Sequence, residues 1–366
     1  MLSAYLNARI FTGETYLDGH AVLTENGRIT GVVPVAEVPS HAVSNDLNGA
    51  TLAPALIDLQ IYGGNGRLFP KHPDVTTLRA MYEYCKAGGA AHFMPTIPTM
   101  SFEVMLETIA AVKQYWDEGG QGILGLHLEG PFMNPEKKGA HLTKYIKSPT
   151  NADIDLLLEH GRGIIKMMTL APECCDPALV KRLQDAGILI SAGHSNGTYE
   201  QLYSSFENGI TTCTHLFNAM SQLQSRAPGF VGAIYDHPTV HSSVVADGIH
   251  VDFNAIRISK KIMGSRLFLI TDAGEEGSVD GYVYVKAEDR YVTADGVLAG
   301  ARITMLQAVR NCITKVGIAP EEALRMGAAY PANIAGLGKE LGYIAPGYRS
   351  DMIVLDNQWQ LIQSIT

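Results

Sequence analysis

Glu129, His194 and His215 stand at the ends of three separate apolar runs of the sequence. Two imidazoles and one carboxylate suit a borderline divalent metal such as zinc, and three protein ligands leave a fourth position open for water. An open position is typical of a catalytic metal centre, because the metal lowers the pKa of a water held there. Each of these residues alone is more often structural, but three of them at three run ends predict a metal site.

Three further residues have chemistry that fits around such a centre. Asp272 ends the last apolar run, so its carboxylate could take a proton from water and pass it to a leaving nitrogen. His141 follows Glu129 in the chain and could polarise a substrate carbonyl, although an ordinary loop histidine fits its position equally well. Arg226 lies in a loop and suits a phosphate dianion, but spacing alone favours a solvated arginine.

These residues need a scaffold that brings the ends of the runs together. From about residue 52, short apolar runs alternate with helix-like segments, and successive runs start roughly 20 to 40 residues apart, the size of a βα unit. The runs are Leu52–Ile61, Ala90–Ile97, Gly122–Leu128, Ile164–Leu170, Ile188–Ala192, Thr211–Phe217, Ser242–Ala246 and Leu267–Ile270. Eight such units predict an α/β fold, a (β/α)8 TIM-like barrel with its function at the strand ends.

The two ends of the chain predict a second, smaller domain. Residues 1–52 contain short segments of β-forming residues separated by turns, and Met352–Leu355 predicts a strand that returns to them. We therefore expect a small β-sandwich domain built from residues 1–52 and 342–366, with the barrel at residues 53–341 inserted between them. Further β structure is predicted at Tyr282–Val297, after the eighth run.

Composition narrows the class of protein. The chain has 366 residues, 46% of them hydrophobic, and a net charge of −9, which argues against disorder and against nucleic-acid binding. No run of 18 apolar residues predicts a membrane span, and the N-terminus lacks the pattern of a signal peptide. Five cysteines without a CxxC pair are typical of a reducing compartment. We expect a cytoplasmic enzyme.

The motifs around these residues resemble those of the N-acetylglucosamine-6-phosphate deacetylases, a group within the amidohydrolase superfamily. The matching segments are Leu126–Phe132, Ala192–Ser195, Thr214–Met220, Ala246–His250, Thr271–Ala273 and Pro346–Asp351. The resemblance extends over essentially the whole chain. The motifs at residues 214–220 and 246–250 are typical of this deacetylase group rather than of the superfamily.

The resemblance implies a role for each site residue. It assigns the metal to Glu129, His194 and His215, the acid–base step to Asp272, and polarisation of the acetamide carbonyl to His141. It assigns the sugar phosphate to Asn218, Ala219, Arg226 and His250. It also implies a homodimer in which Arg226 reaches the active site of the neighbouring subunit. The expected reaction is hydrolysis of N-acetyl-D-glucosamine 6-phosphate to D-glucosamine 6-phosphate and acetate.

Two positions depart from the superfamily pattern. Gln60 and Tyr62 stand where many members have a His-x-His pair that holds a second metal, and neither side chain is a good zinc ligand. We therefore expect one divalent metal per subunit, zinc first, with iron, manganese and cobalt also suited to the ligands. Two alternatives remain open at this stage: deacetylation of another N-acetyl amino sugar, or a non-catalytic scaffold that has kept the fold.

Overall fold

The computed structural model describes all residues from Met1 to Thr366. Its largest sheet has eight strands in a single parallel succession, and each strand pairs with the next one along the chain. The strands are Leu56–Ile61, Ala90–Ile97, Leu126–Glu129, Ile165–Leu170, Leu189–Ala192, Thr212–Cys213, His241–Val245 and Leu267–Ile270. We call them the first to the eighth barrel strand.

The barrel closes just beyond the ends of its first and eighth strands. The Asp272 N–H donates to the Gln60 carbonyl at 3.0 Å, and the Tyr62 N–H donates to the Ala273 carbonyl at 2.8 Å. Ile61 and Ala273 also form a parallel bridge. The predicted (β/α)8 barrel is thereby confirmed, and two of the closing residues are also candidates for the site.

Ten α-helices accompany the strands. They are Val75–Ala87, Phe102–Asp117, Asn151–Gly161, Pro177–Asp185, Tyr199–Glu207, Gly229–Asp236, Phe253–Met263, Met305–Asn311, Pro320–Gly327 and Ala329–Ile334. Single turns occur at Val35–Glu37, Pro135–Lys137, Thr143–Tyr145, Pro172–Cys174, Gly264–Arg266 and Cys312–Val316. Thr150 and Thr198 each begin a helix with a reciprocal pair of capping hydrogen bonds. None of the helices combines the length and apolar character needed to cross a membrane.

The first predicted run divides between two sheets. Thr51–Pro54 pairs with strands of a smaller sheet, and only Leu56–Ile61 joins the barrel. Every residue of both strands is buried, so the sequence presents one continuous apolar stretch where the structure has two strands. The change of sheet falls at Ala55, whose N–H donates to the Asp351 carbonyl.

Two other runs form less strand than their apolar residues suggest. The sixth contributes only Thr212–Cys213, since the backbone turns at His215 and Phe217, both of which have positive φ. The third forms one bridge at Ile123, which pairs with Phe93, and a continuous strand only from Leu126 to Glu129. In the sixth run, the irregular backbone that follows the strand carries His215 to the site.

The chain ends form two sheets that share one core. One sheet contains, in order, Arg28–Pro34, His20–Glu25, Ser3–Leu6 and Val43–Asp46. The other contains Leu361–Ile365, Met352–Leu355, Thr51–Pro54, Arg9–Phe11 and Tyr16–Leu17. Val22 and Ile29 from the first sheet are clustered with Ile10, Leu52 and Val354 from the second. This packing confirms a small β-sandwich built from both ends of the chain.

Contacts within the chain define two compact units. One comprises residues 1–58, 85–92 and 304–366, and the other comprises residues 59–84 and 93–303. All candidate site residues fall in the second unit. The domain boundaries after residue 52 and before residue 342 stay a prediction.

An antiparallel meander follows the eighth barrel strand, in the region predicted to be β structure. Its four strands are Gly277–Val279, Tyr282–Lys286, Arg290–Thr293 and Leu298–Ala301. A two-stranded hairpin, Gly63–Gly64 with Arg67–Leu68, follows the first barrel strand. The meander and the hairpin both supply residues to the pocket described next.

Candidate active site

Glu129, His194 and His215 converge at the carboxyl ends of the third, fifth and sixth barrel strands. Oε1 of Glu129 lies 3.3 Å from His194 Nε2 and 3.0 Å from His215 Nε2, and the two nitrogens lie 3.1 Å apart. A tetrahedral zinc with bonds of about 2.0–2.1 Å separates its ligand atoms by roughly 3.3 Å. The three side chains therefore fit a metal, and all of them are buried.

The protonation of His194 also favours a cation here. Its Nδ1 lies 2.9 Å from the carbonyl oxygen of Lys137, which can only accept, so Nδ1 carries the ring proton. Burial lowers the pKa of His194 to about 4, so the ring is neutral and Nε2 presents a lone pair. That lone pair faces a carboxylate oxygen of Glu129. A cation between the two acceptors would turn a repulsive contact into a favourable one.

Glu129 is the hub of the site. Burial alone would raise its pKa, but hydrogen bonds with the surrounding histidines outweigh burial and hold the pKa of Glu129 well below its usual range. Its Oε1 also accepts from Gln60 Nε2 at 3.0 Å, and its Oε2 accepts from the Tyr62 hydroxyl. Burial and the neighbouring Glu129 carboxylate raise the pKa of Tyr62, so the phenol keeps the proton that it donates.

His141 has the opposite tautomer from His194. The backbone N–H of Thr99 donates to His141 Nδ1 at 3.1 Å, so the ring proton lies on Nε2, which donates to Glu129 Oε2 at 3.0 Å. Ligand atoms of His141, Glu129 and His194 all lie within 4.8 Å of one another, so distance alone would admit His141 as a metal ligand. A protonated Nε2 has no lone pair for a metal, whereas it can donate to a carbonyl oxygen.

Asp272 is connected to Glu129 through the side-chain amide nitrogen of Gln60. Gln60 Nε2 donates to Asp272 Oδ1 at 2.8 Å, while Gln60 Oε1 accepts from Thr214 Oγ1 at 2.5 Å. Burial raises the pKa of Asp272, and the negative charge of Glu129 raises it further, against the opposing influence of His250. A carboxylate with a raised pKa is suited to taking up and releasing a proton.

His250 connects Asp272 to a residue that sequence reasoning left without a role. Its Nε2 lies 3.6 Å from Asp272 Oδ2, and its Nδ1 donates to Asp247 Oδ2 at 2.6 Å. Asp247 Oδ1 accepts the backbone N–H groups of Ile249 and His250, which fixes the turn. The aspartate and histidine three residues apart in one motif were the available signal for this pair.

Backbone strain is concentrated at the same residues. His194, His215 and Asp272 have φ of 48°, 32° and 54°, a region that costs a non-glycine residue roughly 1–3 kcal/mol and is common at functional sites. Gly130, which follows Glu129, has φ of 95° and lies very close to the Thr99 side chain. A Cβ there would lie 2.1 Å from Thr99 Oγ1, so glycine lets Thr99 reach the site.

A pocket opens above these residues. Asn218, Ala219 and His250 line it together with the metal-binding cluster, and the meander forms an opposite wall that includes Tyr284 and Leu298. Neither lysine nor arginine is among its lining residues.

Arg226 is not brought to this pocket. Its side chain is exposed and lines a separate surface cavity together with Tyr199 and Pro228. The other predicted site residues line this pocket, except for Gln60, which is hydrogen-bonded to Glu129 and Asp272 in its lining.

The fold and the site together define a class of protein: the chain belongs to the amidohydrolase family. That family matches residues 51–365, and the NagA composite domain matches residues 3–52. The chain is accordingly a hydrolase that acts on an amide.

The relatives of this chain have names that state a more specific activity. N-acetylglucosamine-6-phosphate deacetylase from Haemophilus influenzae is 35% identical over 100% of this chain and 98% of its own length. N-acetylgalactosamine-6-phosphate deacetylase from Escherichia coli is 31% identical over 95% of this chain and 94% of its own length. The crystal structure of N-acetylglucosamine-6-phosphate deacetylase from Pasteurella multocida has a TM-score of 0.96 at 32% identity, covering 100% of this chain and 98% of that one.

Proposed function

We propose that this protein hydrolyses the acetamide of N-acetyl-D-glucosamine 6-phosphate to D-glucosamine 6-phosphate and acetate. The observation that carries the proposal is the convergence of Glu129, His194 and His215, with a buried carboxylate and an N–H donor beside them. The full-length relatives named above support the substrate.

We assign one divalent metal per subunit to Glu129, His194 and His215, with zinc as the first expectation. A metal held there would lower the pKa of a water and polarise the substrate carbonyl. Gln60 and Tyr62 support a single metal, because both present hydrogen-bond donors to Glu129 where a second site would need ligands.

Asp272 transfers the proton during the reaction, and His141 stabilises the negative charge that develops on the carbonyl oxygen. Asp272 takes the proton of the attacking water as the new C–O bond forms. It then gives that proton to the amine nitrogen as the C–N bond breaks. His141 Nε2–H donates to the carbonyl oxygen while negative charge develops on it. The raised pKa of Asp272 makes its carboxyl group suitable for both halves of this transfer.

Recognition of the phosphate needs a cation that the pocket of one chain lacks. We assign the sugar phosphate to His250, the Asn218 side chain and the Ala219 backbone, all at the pocket, and to Arg226 of the partner subunit in a homodimer. The exposed position of Arg226, in a separate cavity of its own chain, supports a contribution to another subunit. A guanidinium suits a phosphate dianion because it can donate two parallel hydrogen bonds.

The Escherichia coli relative favours one second candidate, N-acetylgalactosamine 6-phosphate. The two sugars differ only in the configuration at carbon 4, so the metal, acid–base and phosphate roles are the same for both. We also propose a cytoplasmic location, since all five cysteines are free thiols.

The test is acetate release by the metal-loaded protein from three substrates: the two N-acetylhexosamine 6-phosphates and unphosphorylated N-acetylglucosamine. We expect N-acetylglucosamine 6-phosphate to have the highest kcat/KM. Equal rates for the phosphorylated and unphosphorylated sugars would contradict the proposed phosphate site. A preference for N-acetylgalactosamine 6-phosphate would favour the second candidate. No acetate from any of them, with metal bound, would overturn the proposal.

A further inference from the structure

We propose that Tyr282, on the meander outside the barrel, is a positioning residue that holds His141 in place with its proton on Nε2. This inference rests on the proposed function, in which His141 donates that proton's hydrogen bond to the substrate carbonyl. The spacing of the sequence motifs does not indicate Tyr282, because its hydroxyl contacts backbone groups of two other segments and not a side chain of the site.

The Tyr282 hydroxyl connects two segments of chain that lie on either side of the His141 ring. It donates to the carbonyl oxygen of Thr99 at 2.6 Å and accepts from the N–H of Leu142 at 3.1 Å. Tyr282 is only 2% exposed, and burial raises the pKa of its hydroxyl, which therefore keeps its proton. One hydroxyl thus satisfies a donor and an acceptor that are 43 residues apart in the chain, the separation of residues 99 and 142.

Both of these segments determine how His141 is held. The N–H of Thr99 donates to His141 Nδ1 at 3.1 Å and thereby places the ring proton on Nε2. The Thr99 hydroxyl lies 2.9 Å from the same nitrogen, and because that nitrogen keeps its lone pair, the hydroxyl donates to it as a second support for this tautomer. Leu142 directly follows His141, so its N–H bond to Tyr282 restrains the peptide on the other side of the ring.

Loss of the Tyr282 hydroxyl would leave the Thr99 carbonyl and the Leu142 N–H without this partner in a largely buried place. The Thr99 peptide could then tilt and withdraw its N–H from Nδ1. The imidazole proton would be free to move to Nδ1, and the donor at Nε2 would be lost. Outer hydrogen-bond partners of site residues commonly affect activity by about 10–100-fold when removed.

The first experiment compares Tyr282→Phe with Tyr291→Phe in the zinc-loaded enzyme. Tyr291 is a matched control, because it is also a buried tyrosine of the meander, but its hydroxyl donates to Glu275 at 3.2 Å and does not contact the His141 segments. We expect Tyr282→Phe to lower kcat for N-acetylglucosamine 6-phosphate about tenfold with a smaller change in KM. We expect Tyr291→Phe to behave as the wild type.

The second experiment tests whether the effect passes through His141. In a double-mutant cycle, Tyr282→Phe should lower kcat no further once His141 has been changed to Ala. Additive losses would assign the effect to the meander in general and would overturn the inference. Equal losses in Tyr282→Phe and Tyr291→Phe would overturn it for the same reason.

The third experiment begins with the wild-type protein and needs no substrate. Long-range ¹H–¹⁵N spectra of histidine-labelled, zinc-loaded wild type should show His141 protonated at Nε2 alone, and a proton on Nδ1 would overturn the inference. Tyr282→Phe should shift this signature, whereas Tyr291→Phe should not. If the wild type releases no acetate, the proposed function fails by itself, and these spectra still decide whether Tyr282 holds the His141 tautomer.

Discussion

One chain supplies the residues for the catalytic end of the pocket, but it supplies fewer of those needed at the end assigned to the phosphate. At the catalytic end, both carboxylate oxygens of Glu129 have close partners, and Gln60 joins Glu129 to Asp272. At the opposite end, the Asn218 amide is turned back on its own loop, and Arg226 lies in a different cavity. The groups assigned to amide cleavage are thus fixed by the fold of one chain, whereas the proposed phosphate site depends on Arg226 of the partner subunit.

The largest expected effect is at the catalytic end. Asp272→Asn keeps the size of the side chain but removes the base, so kcat should fall by about 10²–10⁴-fold, the usual contribution of general acid–base catalysis. The bound metal should remain, since Asp272 is not one of the assigned ligands. Acetate release and metal analysis of the same sample would check both halves, and a variant with near-normal kcat would contradict the role of Asp272.

The pH dependence provides a second measure of the same residue. Because burial raises the pKa of Asp272, the acid limb of the kcat profile should lie above the usual range of an aspartate. Activity should be lost as pH falls through that raised pKa, since the protonated carboxyl cannot accept a proton from water. Asp272→Asn should lack this limb in its residual activity, provided that metal content is constant over the pH range.

The metal ligands can be separated from their neighbour by a matched pair of variants. His194→Ala removes an assigned ligand, and we expect its metal affinity to fall by more than the roughly 10–100-fold typical of outer partners. His141→Asn removes a donor that has no free lone pair, so it should keep its metal and lose kcat. Metal content after dialysis distinguishes the two variants. If only His141→Asn lost its metal, His141 would be the metal ligand and His194 would not.

The phosphate end should respond in KM. Arg226→Ala should raise KM for N-acetylglucosamine 6-phosphate roughly tenfold or more, because a hydrogen bond to a charged group is worth about 1.5–3 kcal/mol. The unphosphorylated sugar should be unaffected. Mixing Arg226→Ala subunits with Asp272→Asn subunits should restore one intact site per hybrid dimer. The absence of any recovery in confirmed hybrids would place the contribution of Arg226 within its own chain.

The smallest effect is expected where the two ends meet. Asp247→Asn preserves acceptors for the turn N–H groups but removes the charge that orients His250. We expect a loss in kcat/KM of less than about tenfold, the lower limit for many outer partners. A loss as large as that of Asp272→Asn would show that the Asp247–His250 pair belongs to the catalytic end.

The sequence predicted the barrel because its strands are buried on both faces and appear as uninterrupted apolar runs, as at Ala90–Ile97. The same property hid the change of sheet at Ala55, where two buried strands follow each other without a polar break. Glu129, His194, His215 and Asp272 were found because they end such runs. Thr99 and Tyr282 were not, since they act through backbone groups that tertiary structure alone brings together.

The closure of the barrel has a consequence for how the enzyme acquires its activity during synthesis. Glu129, His194 and His215 belong to the third, fifth and sixth barrel strands or follow them directly, whereas Asp272 follows the eighth and meets Gln60 across a separation of 212 residues. During synthesis, all three proposed metal ligands therefore leave the ribosome before the proposed acid–base residue does.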